Sequence, residues 1–186
     1  MAIPPDFAVI GVVRRADDWA RSMHARPWHS QLDLRCLEFS EFLRSPWDSF
    51  IDRGRFFPGL SEWGADLQCL QQDRHPLTGQ AFSNILEMRR VKLSGLLSYL
   101  ERRCTFVLVR CENAIHSPKQ VLNHIAHHLD LEEIKSVKPV HKRQGFRFKS
   151  FVDARPDTPD TLSHKDTIFL RSQLDIKSEK NLGYEY

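Results

Sequence analysis

Phe7 to Ser22 reads FAVIGVVRRADDWARS, an apolar run closed by two arginines that passes directly into a helix pattern. Phe7 to Val13 is rich in β-branched residues, the mark of a strand buried on both faces in a parallel sheet. Asp17 and Asp18 favour a helix start through capping and through the helix dipole, and Trp19, Met23 and Arg26 follow at helical spacing. In open α/β sheets the corner where a strand turns into a helix, at the strand's carboxyl end, is where ligands bind.

Arg14 and Ser22 suggest which ligand. A guanidinium is a forked, permanently charged donor suited to phosphate, and a hydroxyl on the following helix adds a second donor. Helix N–H groups near that corner would complete an anion cradle. The alternative is that Arg14 pairs with Asp17 or Asp18 and that Ser22 is an ordinary helix-surface residue.

A second strand is expected over Thr105 to Val109, beside the first and parallel to it. The helix after it is punctuated by Ser117 as N-cap, Pro118 at the first helical position and Gln120 as reciprocal capping partner. Together the two β-α pairs predict an α/β fold, a doubly wound parallel sheet flanked by helices. The 186 residues, 41% hydrophobic and 27% charged, suit a single domain spanning 1–186.

A net charge of +3 is too slight for a nucleic-acid binder and suits a small anionic ligand. Cys36, Cys69, Cys104 and Cys111 lack C-x-x-C spacing, which argues against a structural zinc or a disulfide framework and for a reduced, cytoplasmic setting. The N-terminus MAIPPDF has no basic and apolar leader pattern, and no apolar stretch is long enough to span a membrane.

Further along, His29 stands just past the phosphate corner and is the one candidate catalytic base, against the alternative of a surface histidine. Glu38 to Arg44 predicts a short helix burying Phe39, Phe42 and Leu43. The span from Ser45 to Gln80 reads as a long irregular loop. Asn84 to Arg103 predicts the longest helix, capped by Ser83 or Asn84 with Glu87 in the first turn. Its apolar stripe runs through Leu86, Leu93, Leu96, Leu97 and Leu100, leaving Arg89, Arg90 and Lys92 on the solvated side.

His124, His127 and His128 have helical spacing that could share an ion. The intervening residues supply no carboxylate and no third ligand is evident, so they read as boundary and surface residues and no metal is expected. From Lys135 to Lys149 cations alternate with Phe146 and Phe148, a mixture able to clamp an adenosine phosphate or, alternatively, single-stranded RNA. Asp153 to Asp160 reads as a linker, Ser163 as the cap of a final helix, and Leu182-Gly183-Tyr184 as a stop with glycine in the left-handed position.

Arg14-x-x-x-Asp18-x-x-x-Ser22 after a strand resembles the 3′-phosphate-binding motif of sulfotransferases. Three further segments keep that family's order: Asn84 to Arg89 before a long helix, Phe106 to Asn113 with a proline soon after, and the closing Leu182-Gly183-Tyr184. The resemblance implies a P-loop-type sulfotransferase fold, binding of 3′-phosphoadenosine-5′-phosphosulfate (PAPS) through Arg14 and Ser22, and sulfuryl transfer to a hydroxyl or amine of a small-molecule or carbohydrate acceptor. It lets Arg89 or Lys92 point toward the acceptor or cofactor, and it makes the irregular loop a wall of the acceptor pocket. It also assigns Lys142, Arg143 and Gly145 to a basic loop over the cofactor, beside the alternative of a plain solvated loop.

Two departures stand out. The family's phosphosulfate-binding P-loop precedes this strand, yet no G-x-x-x-x-G-K-[ST] occurs here, so an incomplete front end or a partner chain supplying it is expected. Cys111 also stands where the family carries a tyrosine against the adenine ring, and a thiol offers no stacking face.

Overall fold

The computed structural model describes residues 7–51, 59, 73–138 and 151–186. The chain divides into two compact units, one of Met1–Arg15 and Lys92–Gln144, the other of Ala16–Val91 and Gly145–Tyr186. The first holds the strands and the second is helical. Among the described residues the architecture is mixed α/β, with a small two-stranded parallel sheet and flanking helices.

In the strand unit β1 (Ala8–Val13) pairs in parallel with β2 (Thr105–Arg110), in register from Ala8↔Thr105 to Val13↔Arg110. The expected two-sided burial of β1 is not met: Ile10 is 49% and Val12 59% exposed, while Val107 and Val109 beside them are buried. A run of β-branched residues encodes extended backbone, but coverage needs a second layer that local sequence does not name. On the opposite face a side chain at Gly11 would begin 2.9 Å from Phe106 Cζ and 3.2 Å from Leu108 Cδ1. Glycine there lets the Phe106 ring lie across β1 while it stacks on Tyr99.

Two helices follow β2, α4 (Cys111–His116) and α5 (Pro118–His128), and both pack on it. Proline opens α5 as expected, but Ser117 makes no side-chain cap bond. Its N–H instead closes α4 on the Asn113 carbonyl at 2.8 Å, which sets its backbone at φ −138° and ψ 57°. A residue that ends one helix is thus not in the extended geometry that aims an N-cap hydroxyl at the next.

In the helical unit, α1 (Ala16–Ala25) buries Ala16, Ala20 and His24, one residue per turn on a single face. A 3-10 turn (Asp33–Cys36) leads to α2 (Phe39–Arg44), which buries Phe39, Phe42 and Leu43 as its spacing predicts. These side chains join Leu34, Trp47, Phe82, Ile85, Leu86, Met88, Leu170 and Leu174 in one core. Trp47, at the start of the expected loop, is a core residue only 2% exposed, with its indole N–H on Ser49 Oγ at 2.9 Å. Residues 52–58 and 60–72 of that loop lie outside the described residues.

Helix α3 (Ile85–Leu97) is capped as predicted: Asn84 Oδ1 accepts from the Leu86 and Glu87 N–H groups at 3.0 and 2.9 Å, and Glu87 reaches back to Ser83. It ends earlier than expected, in a 3-10 turn over Ser98–Glu101. The change from 3.6 to 3 residues per turn swings Leu100 off the stripe, and it is 67% exposed.

Helix α6 (His164–Gln173) opens on Ser163, whose Oγ accepts from the Asp166 N–H. Helix α7 (Ile176–Asn181) stops as the glycine predicts. Gly183 has φ 79°, its N–H donates to the Lys180 carbonyl, and the Tyr184 N–H donates to that of Glu179.

Candidate anion-binding site

The carboxyl end of the two-stranded sheet is cationic. Arg110 ends β2 beside Val13, and Arg14 and Arg15 follow Val13 directly. Glu112, at the start of α4, accepts the Arg15 backbone N–H at 2.9 Å and so orders the turn. Arg110 reaches Asn113 Oδ1 at 3.3 Å. Three guanidinium-bearing residues at adjoining positions, with Arg14 and Arg15 half-buried, suit a multiply charged anion better than a single carboxylate.

Ser22 lies in the other unit, on α1, half-buried, with its carbonyl accepting the Arg26 N–H at 3.1 Å. Asp18, one of the alternative partners for Arg14, is paired with Arg21 of its own helix. His29 also belongs to the helical unit. Its backbone is left-handed at φ 57°, its carbonyl accepts the Phe50 N–H, and its ring lies 6.3 Å from that of Trp28. Lys142, Arg143 and Gly145 lie outside the described residues.

Cys111, half-buried at the first position of α4, presents a thiol at this end of the sheet.

No family model, curated protein or solved structure matches the chain. Among the described residues no helix is long and apolar enough to cross a membrane.

Sequence reasoning missed two charged clusters, both in the helical unit. The stretch 153–160 is not a plain linker but a strap across the end of α1. Arg155 donates from Nε to the Arg35 carbonyl at 3.0 Å, from Nη1 to that of Ala25 at 3.0 Å and from Nη2 to that of His24. Thr158 Oγ1 meets His24 Nδ1 at 2.7 Å, and Arg21 donates to the Asp160 carbonyl. Carbonyls in the last turn of a helix lack intrahelical partners, and an arginine satisfies them with charge of the favourable sign. The Pro- and Asp-rich composition concealed this, because the helix end it serves lies 130 residues away.

His24 is 1% exposed, with Nε2 on the Leu37 carbonyl at 3.0 Å and edge-on contacts to Phe39 and Phe42. Burial, reinforced by Arg155, pushes its pKa below 6.5 against the weaker pull of Leu37 and Glu38. The fold thus holds His24 neutral while an unfolded chain would take up the proton. Its contribution is complete above pH 6.5 and is lost as pH falls from there through the folded-state value. Urea midpoints measured from about pH 8 down to about pH 5 are expected to fall, and less steeply in His24→Gln. An equal slope in that variant would remove His24 as the cause.

The second cluster corrects the reading of Arg89 as a solvated residue. Arg89 is buried and forms a two-pronged ion pair with Glu179, itself 1% exposed. The Tyr186 hydroxyl accepts the Ala16 N–H at 2.7 Å and donates to Glu179 Oε2 at 3.4 Å, joining the first residue of α1 to the pair. Burial, with a further push from Glu179, raises the Tyr186 pKa far above its ordinary value, so the phenol stays a donor.

Proposed function

We propose that this chain is a sulfotransferase-like protein that binds PAPS, or its product adenosine 3′,5′-bisphosphate, by the 3′-phosphate through Arg14 and Ser22. The observation that carries the reading is the passage from β1 into Arg14, beside Arg110 of the parallel neighbour, followed within three residues by the helix that bears Ser22. That is the strand-Arg-helix-Ser order the resemblance requires, with cationic donors at the carboxyl end of the sheet.

On this reading the fold is of the doubly wound P-loop type and the acceptor is a hydroxyl or amine. PAPS supplies the activated sulfuryl group. The chain's own residues bind and orient: Arg14 and Ser22 would neutralise the distal phosphate, Glu112 holds the turn that carries Arg14 and Arg15, and Lys142, Arg143 and Gly145 would close over the cofactor. His29 is the candidate base on the acceptor. A grip on the sulfuryl group in flight has no motif in this sequence, and a partner chain supplying a P-loop would complete it. The second reading, a non-catalytic sulfotransferase remnant, is favoured by Cys111 in place of the adenine-facing ring.

A thermal-shift titration with adenosine 3′,5′-bisphosphate separates the two. Ligand at about 100-fold excess over its Kd is expected to stabilise the folded chain by about 2.7 kcal/mol. Arg14→Ala should weaken binding by at least about ten-fold, because a charge-assisted contact of about 1.5–3 kcal/mol is lost. No shift at millimolar ligand in the parent chain would leave the remnant reading, and an equal shift in Arg14→Ala would remove Arg14 from the site.

A further inference from the structure

The geometry points to a two-point binding site for a zinc-class dication at His124 and His128, one turn apart on α5. Both imidazoles are exposed, with ring centroids 4.3 Å apart and planes tilted by 50°. His128 Nδ1 lies 3.0 Å from the His124 carbonyl oxygen. A carbonyl only accepts, so Nδ1 carries the proton and the lone pair of the neutral ring is left on Nε2. Histidines that ligate metals are commonly held this way, with one ring N–H on a carbonyl fixing the tautomer and the orientation of the other nitrogen.

A tetrahedral ion with Zn–N bonds of about 2.0–2.1 Å needs its two nitrogens roughly 3.3 Å apart. The two rings, with centroids 4.3 Å apart, stand one turn apart on α5 at a separation of that order. No group of three or more ligating side chains occurs among the described residues, so water would fill the remaining positions. Glu133 is engaged by Asn123 at 2.8 Å, and the His127 ring stands edge-on to His128 at 6.1 Å, outside the pair. The result is an open, exchangeable site that pins the last turn of α5. Its preference should follow Cu²⁺ over Ni²⁺ and Zn²⁺, the general order for imidazole ligands.

The test uses the untagged full chain titrated with Zn²⁺ alone, read by calorimetry and by melting temperature. One saturable site is expected, with a metal-dependent rise in Tm. His124→Asn and His128→Asn should each weaken binding by about ten-fold or more and abolish the Tm rise, while His127→Asn leaves both unchanged. All three positions are exposed, so an unchanged far-UV dichroism spectrum verifies the fold. Undiminished Zn²⁺ binding by the His124→Asn/His128→Asn double variant, or no saturable binding by the parent up to about 1 mM, a concentration at which only weak contacts persist, overturns the site.

Discussion

Replacing Glu179 by alanine is expected to destabilise the protein by about 3–5 kcal/mol, the usual effect of stranding one member of a buried ion pair. Arg89 lies among Ile85, Leu86 and Met88 on the buried face of α3, and Glu179 answers its charge from α7. Removing the carboxylate leaves the guanidinium in the core without its counter-charge, and it also takes the acceptor from the Tyr186 hydroxyl that holds the Ala16 N–H. The effect should be strongly non-additive. Arg89→Met combined with Glu179→Leu, which removes both charges and fills similar volume, should recover most of the loss, because the penalty comes from desolvating an unpaired ion rather than from losing an attraction. Urea unfolding of the parent, Glu179→Ala, Arg89→Met, Glu179→Leu and the double variant measures this. A single-variant loss under about 1 kcal/mol would mean that water reaches Arg89, contrary to its burial.

Arg155→Met should cost about 2–3 kcal/mol and loosen the strap before the rest of the helical unit. Methionine keeps much of the stem's packing but donates nothing, so three carbonyls lose a charged donor, two of them in the last turn of α1. Arg155→Lys should recover only part, since one ammonium cannot span three acceptors laid out for a planar fork. Hydrogen exchange of the 155–160 amides should accelerate more than that of the α2 core, and the pH dependence of stability should shift as His24 gains access to water. Unfolding free energy within about 0.5 kcal/mol of the parent, together with unchanged exchange, would show that the strap is held by its other contacts.

These two clusters mark where local reading stops. The helix start at Asn84, the Ser163 cap, the stop at Gly183 and the buried triad of α2 were all legible, because each depends on residues within a turn of one another. Arg89 was misassigned because its partner is 90 residues away, and Arg155 because its acceptors are backbone groups, which no residue type announces. Ser117 shows the same limit at short range. Its hydroxyl was available to cap α5, but the unforeseen α4 took its backbone first.

The candidate anion site divides along the same line. The sequence by itself determined the extended run of β1, the arginines that end it and the helix signals that follow, since β-branched crowding, fixed charge and capping are properties of neighbouring residues. Tertiary structure alone decided that Arg110 would stand beside Val13, that Ile10 and Val12 would face solvent, and that Arg89 would be buried against Glu179. Pairing register, coverage and counter-charge are set by segments distant in the chain, and they follow from which surfaces meet rather than from which residues adjoin.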